Sequence, residues 1–213
     1  MKKLSQNDYV VSQWSGGKTT QIAICPPEAV YANRDFLWRV SSATVELPES
    51  DFTPLPDYDR LIATLRGEIV LSHNGGAPLS LRSFEVHAFS GADATHSTGC
   101  CRDFNLMLRR GYVTGIMETL RLTKLSCSFP APCAEETVLL YCAEGSCIVE
   151  PHSPCLPKTD DGGFLQQLAS GETFFMTEPV RLTLTGPAVL MVCRISPVSD
   201  STSNIHSHLS PNL

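Results

Sequence analysis

The sequence predicts an all-β protein on three observations. Short apolar or alternating runs recur along most of the chain, Gly, Pro, Asn and Ser separate them at close intervals, and helical periodicity is hard to find. Runs of this length and spacing fit a sandwich or a barrel. At 213 residues, with 42% hydrophobic and 18% charged residues, the chain can form one large β domain or two small ones around a real core.

The N-terminal stretch MKKLSQNDYVVSQW has two lysines but lacks the apolar segment of a signal peptide. No run approaches the ~20 apolar residues that span a bilayer, so no membrane association and a cytoplasmic location are expected. Ser15-Gly16-Gly17-Lys18-Thr19 looks like the end of a phosphate-binding loop. That pattern needs glycine where Ser12 stands, Trp14 would crowd the phosphates, and Thr20–Cys25 reads as strand, so a tight turn is expected instead.

The next strand, Phe36–Glu46, places Trp38 and Val40 on one face and Leu37, Arg39 and Ser41 on the other. Arg39 beside Ser41 offers a charged fork and a hydroxyl, which suits a carboxylate ligand. The alternative is an edge-strand arginine in solvent. Phe52–Arg60 (FTPLPDYDR) is a Pro-punctuated turn that delivers Tyr58 and Arg60 into the strand run Arg60–Ser72. Arg60, Ile62 and Thr64 share a face there, and the plainest partner for Arg60 is Asp57 or Asp59. Arg66-Gly67 and Asn74-Gly75-Gly76 are plausible hairpin turns, the second leading to Leu79–Phe89.

Asp103–Gly111 (DFNLMLRRG) organises the first half. Read with period two, Phe104, Leu106 and Leu108 form a core face, while Asp103, Asn105 and Met107 point the other way. The carboxylate and carboxamide stand about 7 Å apart, two strand residues at roughly 3.3 Å each. Burying them unpaired costs several kcal/mol, so they need a ligand, Arg109, Arg110 or neighbouring backbone as partners. Further runs follow at Leu120–Cys127, Thr137–Ala143, Cys147–Glu150, Glu172–Met176, Val180–Thr185 and Val189–Ile195. Two tandem barrels are therefore expected, over 1–112 and 113–197, with a Pro- and Cys-rich connection at Phe129–Cys133. The Ser-, Pro- and Asn-rich tail 198–213 is expected to be disordered.

With 16 basic against 22 acidic residues the net charge is −6, and no dense Lys/Arg cluster exists, which argues against a nucleic-acid partner. Nine cysteines, an odd number, fit free thiols better than a disulfide framework. His73, His87, His96 and His152 stand alone, and no strand carries His-X-His followed by a suitably placed carboxylate. His206-Ser207-His208 lies in the tail, and Cys127, Cys133, Cys142, Cys147 and Cys155 form no Cys-X-X-Cys pair, so neither metal nor cofactor is expected. Alternation would bury one of the vicinal Cys100-Cys101 and expose the other. No Gly-X-Ser-X-Gly elbow supports nucleophilic catalysis.

Several of these stretches together resemble the HutD/Ves family of bacterial proteins. They are Trp14–Ile22 (WSGGKTTQI), Phe36–Ala43 (FLWRVSSA), Phe52–Arg60, Leu65-X-Gly67, Phe89–Asp93 (FSGAD), and Gly99 followed by Asp103–Gly111. They occur in the family's order and cover most of residues 10–112, whereas the second half matches loosely, through Gly171-Glu172-Thr173 and Val180–Ile195. The chain departs from the family pattern in having Asp57 between Pro56 and Tyr58, and an extra residue in Gly91-Ala92-Asp93. The resemblance implies a cupin-type (RmlC-like) fold, a compact bicupin of two β-barrels. It also implies an association with histidine utilisation for HutD relatives and with cold stress for Ves relatives, without an established enzymatic activity.

The expected function is a metal-free bicupin that binds a small anionic metabolite, such as formylglutamate or urocanate by analogy, as a sensor or modulator. Arg39 and Arg60 would grip carboxylates, and Ser41 and Asn105 would add hydrogen bonds. Asp103 would orient an arginine or accept an amide proton, and Trp14 would cover the mouth. A metal-independent isomerase or hydrolase using Asp103 or a histidine as base is the alternative, and a protein-interaction module is the third.

Overall fold

The computed structural model describes residues 1–152 and 165–199. Cys155, His206-Ser207-His208 and nearly all of the tail expected to be disordered lie outside the described residues. Among the described residues helix is confined to two short 3-10 turns, Gln6–Asp8 and Tyr31–Asn33. The strands pair antiparallel throughout, apart from one isolated parallel bridge between Thr64 and Ser83.

Strand β1 (Lys2–Leu4) is followed by β2 (Val10–Trp14), β3 (Gly17–Cys25), β4 (Trp38–Val45), β5 (Glu49–Asp51) and β6 (Tyr58–Arg66). Then come β7 (Ile69–His73), β8 (Leu79–Leu81), β9 (Val86–Ser90), β10 (Thr95–Thr98) and β11 (Cys101–Arg109). A six-stranded sheet ordered β2-β3-β4-β11-β6-β9 and a four-stranded sheet ordered β5-β10-β7-β8 make the first barrel. The second barrel uses β12 (Val113–Leu122), β13 (Cys127–Phe129), β14 (Thr137–His152), β15 (Gln166–Ala169), β16 (Thr173–Met176), β17 (Arg181–Thr185) and β18 (Ala188–Pro197). This is the cupin-type, all-β architecture that the resemblance implies.

Local chemistry explains the departures from expectation. The chain's first strand does not join the first barrel: β1 pairs with β16, tying the N-terminus to the second barrel. Arg66-Gly67 is a corner rather than a hairpin, because β6 and β7 belong to different sheets. Gly67 turns that corner at φ +81, where a side chain would also run 2.6 Å from the Cys100 carbonyl oxygen. Asn74-Gly75 does form a hairpin, joining the paired strands β7 and β8 with both residues at positive φ. Thr137–Ala143 and Cys147–Glu150 fuse into the 16-residue β14, which pairs with β18 through a register shift between Cys142 and Glu144. Ser15-Gly16 is the tight turn of the β2–β3 hairpin, and the Gly-Gly-Lys run continues as strand.

Burial follows the period-two pattern. Phe104, Leu106 and Leu108 on β11 join Trp38, Val40, Ala63 and Leu65 against Met117, Leu139, Met191, Cys193 and Ile195, so one core welds the two barrels together. The second barrel is packed solid with Val138, Leu140, Val149, Leu168, Phe174, Leu182, Leu184, Leu190 and Val192. The first barrel is different. Its own apolar residues form two small clusters, Ile24, Phe36, Leu55, Tyr58 and Met107 in one and Ile62, Ile69, Leu71 and Leu81 in the other. Between its sheets lies a cavity of about 300 Å³.

Candidate functional site

The cavity is built by strand register. On β11, Asp103 sits opposite Ala43 of β4 and Thr64 of β6, Asn105 opposite Ser41 and Ile62, and Met107 opposite Arg39 and Arg60. Since neighbouring strands lie ~4.8 Å apart, the two arginine Cα atoms flank Met107 at about 10 Å from each other. The structure brings Trp14, Arg39, Ser41, Arg60, Asp103 and Asn105 together as lining of this one cavity.

Arg39 is only 5% exposed, because β4 is a central strand between β3 and β11 rather than an edge. Its Nε donates to Gln21 Oε1 at 2.8 Å and its Nη1 to Ser41 Oγ at 3.2 Å, while the guanidinium lies 4.2 Å from the Tyr31 ring centre. Burial pulls its pKa down to about 10. Arg60 is 7% exposed and stands 5.0 Å from both the Phe52 and the Phe89 ring centres. Its polar contacts are long: Nη2 to Asn105 Oδ1 at 3.4 Å and Nη1 to the Thr53 carbonyl at 3.5 Å. Its buried Nε has no hydrogen-bond partner. Burial lowers the Arg60 pKa as well.

Neither arginine has a carboxylate oxygen within 4.0 Å among the described residues. The simple partner expected for Arg60 is not used, since Asp59 pairs with Arg110 at 2.7 Å. Asp103 is buried, and its Oδ1 accepts the Ala43 amide at 2.8 Å. Burial raises its pKa to about 6, opposed by the Ala43 amide, Arg60, the Asn105 side chain and Arg39. Of the charged groups lining the cavity, Asp51 is exposed and paired with His96, so the buried charges are two guanidinium groups against one easily protonated carboxylate, inside a protein of net charge −6. Trp14, 41% exposed on the β2–β3 hairpin, borders the cavity.

Sequence reasoning missed Gln21, Tyr31 and Phe52. Gln21 was legible, since β3 presents Thr19 and Gln21 on one face before its register shift. Tyr31 comes from a 3-10 turn without periodicity, and Phe52 from the loop after β5, so no pattern marked either.

Cupins commonly carry a metal on His-X-His with glutamate and a further histidine. The residues of this cavity do not fit one: its strand wall offers Asp103 and an amide between two guanidinium groups, whose charge opposes a cation, and the other lining carboxylate, Asp51, is exposed and paired with His96. Among the described residues no three His, Cys, Asp or Glu side chains converge into a metal-binding group.

A conserved protein of unknown function, PA5104, from Pseudomonas aeruginosa PAO1 has a similar structure, with a TM-score of 0.74 at 24% identity, covering 93% of this chain and 99% of that one. HutD from Pseudomonas fluorescens SBW25 (formate condition) gives 0.71 at 20% identity, covering 93% and 99%. Ylba from E. coli gives 0.66 at 11% identity, covering 93% and 92%. These likenesses show the fold. No curated protein matches the chain by sequence. The HutD family model matches residues 6–192, nearly the whole described chain, and the protein therefore belongs to the HutD family.

Proposed function

We propose that the hollow first barrel binds a small carboxylate metabolite and that the protein acts as a sensor or modulator linked to histidine utilisation. The observation that carries this reading is the Arg60 guanidinium, buried with an unpartnered Nε and no carboxylate in ion-pair reach among the described residues. Such a group is costly unless something pairs with it, and an anion entering from solvent is the natural partner. Arg39 supplies a second fork at the same level, Ser41 and Asn105 add hydrogen-bonding groups, and the HutD kinship points to acidic intermediates such as formylglutamate or urocanate.

A thermal-shift screen of EDTA-treated protein against histidine, urocanate, formylglutamate, glutamate and unrelated carboxylates tests it. Ligand at 100 times its Kd should stabilise the fold by about 2.7 kcal/mol, a shift of several degrees. A selective shift that Arg60→Ala abolishes supports the reading; a flat panel at millimolar ligand overturns it.

Asp103 favours a second reading, a metal-independent isomerase or hydrolase. A buried carboxyl near pH 6 beside two guanidinium groups is placed to exchange a proton with a bound anion. This reading expects turnover after exhaustive chelation and a pH–rate profile that Asp103→Asn alters. Absence of any product from a ligand proven to bind would rule it out.

A further inference from the structure

The six-stranded sheet has a second polar face. Opposite the cavity, it borders a cleft of about 330 Å³ closed from the far side by the second barrel and the N-terminal segment. Register again sets the chemistry. Lys18 on β3 and Arg102 on β11 both stand opposite Thr44 of β4, so two cations flank one hydroxyl in a single row. The next row places Thr20 beside Ser42.

Arg102 is fixed in the cleft. Its Nη2 donates to the Tyr141 hydroxyl at 2.7 Å and its Nε to Ser42 Oγ at 3.3 Å, while Ser42 spends its own hydrogen on the Asp103 carbonyl at 2.6 Å. Arg102 Nη1 makes no hydrogen bond among the described residues. The Tyr141 hydroxyl, an acceptor from Arg102 on a buried side chain, has no acceptor for its own hydrogen there. No carboxylate lines the cleft. Neither Lys18 nor Arg102 is ion-paired among the described residues.

We propose that this interbarrel cleft is a second anion site, one that takes a phosphate group seated between Lys18 and Arg102. The cleft is rich in donors and poor in acceptors. Two uncompensated positive charges match a phosphate dianion better than a single carboxylate, and its oxygens can receive the Lys18 ammonium, Arg102 Nη1 and the Tyr141 hydroxyl at once. The volume leaves room for a small organic group beyond the phosphate, over Val11 and Ile22. This site is independent of the hollow barrel, because its side chains leave the opposite face of the same strands.

The test is a titration of the full, isotope-labelled chain, followed by backbone amide NMR, with inorganic phosphate, ribose 5-phosphate and ribose. Both phosphates should shift amides of β3, β4 and β11 around Lys18, Thr44 and Arg102, and ribose should shift none. Tighter binding of ribose 5-phosphate identifies an organic phosphate as the ligand class; equal binding identifies free phosphate. Lys18→Gln, an exposed position that leaves the fold intact, should weaken binding roughly tenfold or more, and Arg102→Gln similarly. Carboxylates that occupy the hollow barrel should not compete. Absence of shifts at millimolar phosphate, or an affinity unchanged in Lys18→Gln, overturns the proposal.

Discussion

Replacing Arg60 by Met separates a binding arginine from a structural one. Methionine keeps an unbranched stem of similar length between Phe52 and Phe89 but removes the charge. In the free protein the substitution relieves the unpartnered, buried Nε, a cost of about 1–3 kcal/mol. Against that, it forfeits cation–π attraction to two rings at 5.0 Å, roughly 0.5–1 kcal/mol each, and two polar contacts at the long limit of hydrogen bonding. The terms nearly cancel. Stability should change by no more than about 1–2 kcal/mol, a few degrees in Tm for a chain of this length. An arginine locked in a buried ion pair would behave otherwise, since losing one partner costs about 3–5 kcal/mol. Carboxylate binding, in contrast, loses a charge-assisted contact of about 1.5–3 kcal/mol, so affinity should fall more than tenfold. Scanning calorimetry and isothermal titration with the best carboxylate from the screen measure both. A Tm lowered by about 10 °C, or an affinity left unchanged, would refute the argument.

Arg39→Ala should weaken the same ligand at least tenfold with a small change in Tm, whereas Arg39→Lys, which keeps the charge but not the fork, should fall between wild type and Ala in titration calorimetry. Asp103 has a folded pKa of about 6 against an ordinary value of 3.8, so the folded state holds its proton more tightly and this group penalises folding as pH rises from about 4 through 6. Asp103→Asn should therefore gain stability over wild type on the order of 3 kcal/mol above pH 7 and lose that gain near pH 4; a difference in Tm that ignores pH would sink the assignment. Anion affinity of the wild type should rise as pH falls through about 6, and titrations at several pH values would show it. Leu182→Ala, in the solid second barrel, should cost about 2–5 kcal/mol by denaturant melt while leaving ligand affinity unchanged.

Strand periodicity made the inner wall of the cavity legible. Asp103, Asn105, Arg39, Ser41 and Arg60 all lie on long central strands, where alternation alone settles which side chains share a face. What alternation cannot supply is partner choice between strands. That Met107 stands opposite both Arg39 and Arg60, and that Arg110 takes Asp59, depends on register set by long-range pairing. Short strands were also illegible: β5, at an edge of its sheet, and β10 beside it are three and four residues long, with no apolar alternation to mark them. β5 reaches β7 only through β10, and its Ser50 and Asp51 border the cavity. The N-terminal strand β1 eluded the reading because three residues carry no period, and its place beside β16 follows from the second barrel's need to cover an edge.

The contrast between the barrels suggests why the hollow one can exist. The positions that face inward on β14 and β18 include Val138, Leu140, Leu190 and Val192, and the second barrel is a fully apolar core. The equivalent wall of the first barrel spends its burial on two arginines, an aspartate and an asparagine, each of which loses hydration for incomplete pairing. Net stability of a domain is only about 5–15 kcal/mol, so a barrel with this interior would be marginal alone. The shared apolar core between Phe104, Leu106 and Leu108 and Leu139, Met191 and Ile195 couples it to a partner with stability to spare. A charge pocket with incomplete pairing then persists without ligand, and an anion that neutralised it would stabilise both barrels through that core. Ligand should accordingly raise the Tm of a single cooperative transition rather than of a separate first-barrel event.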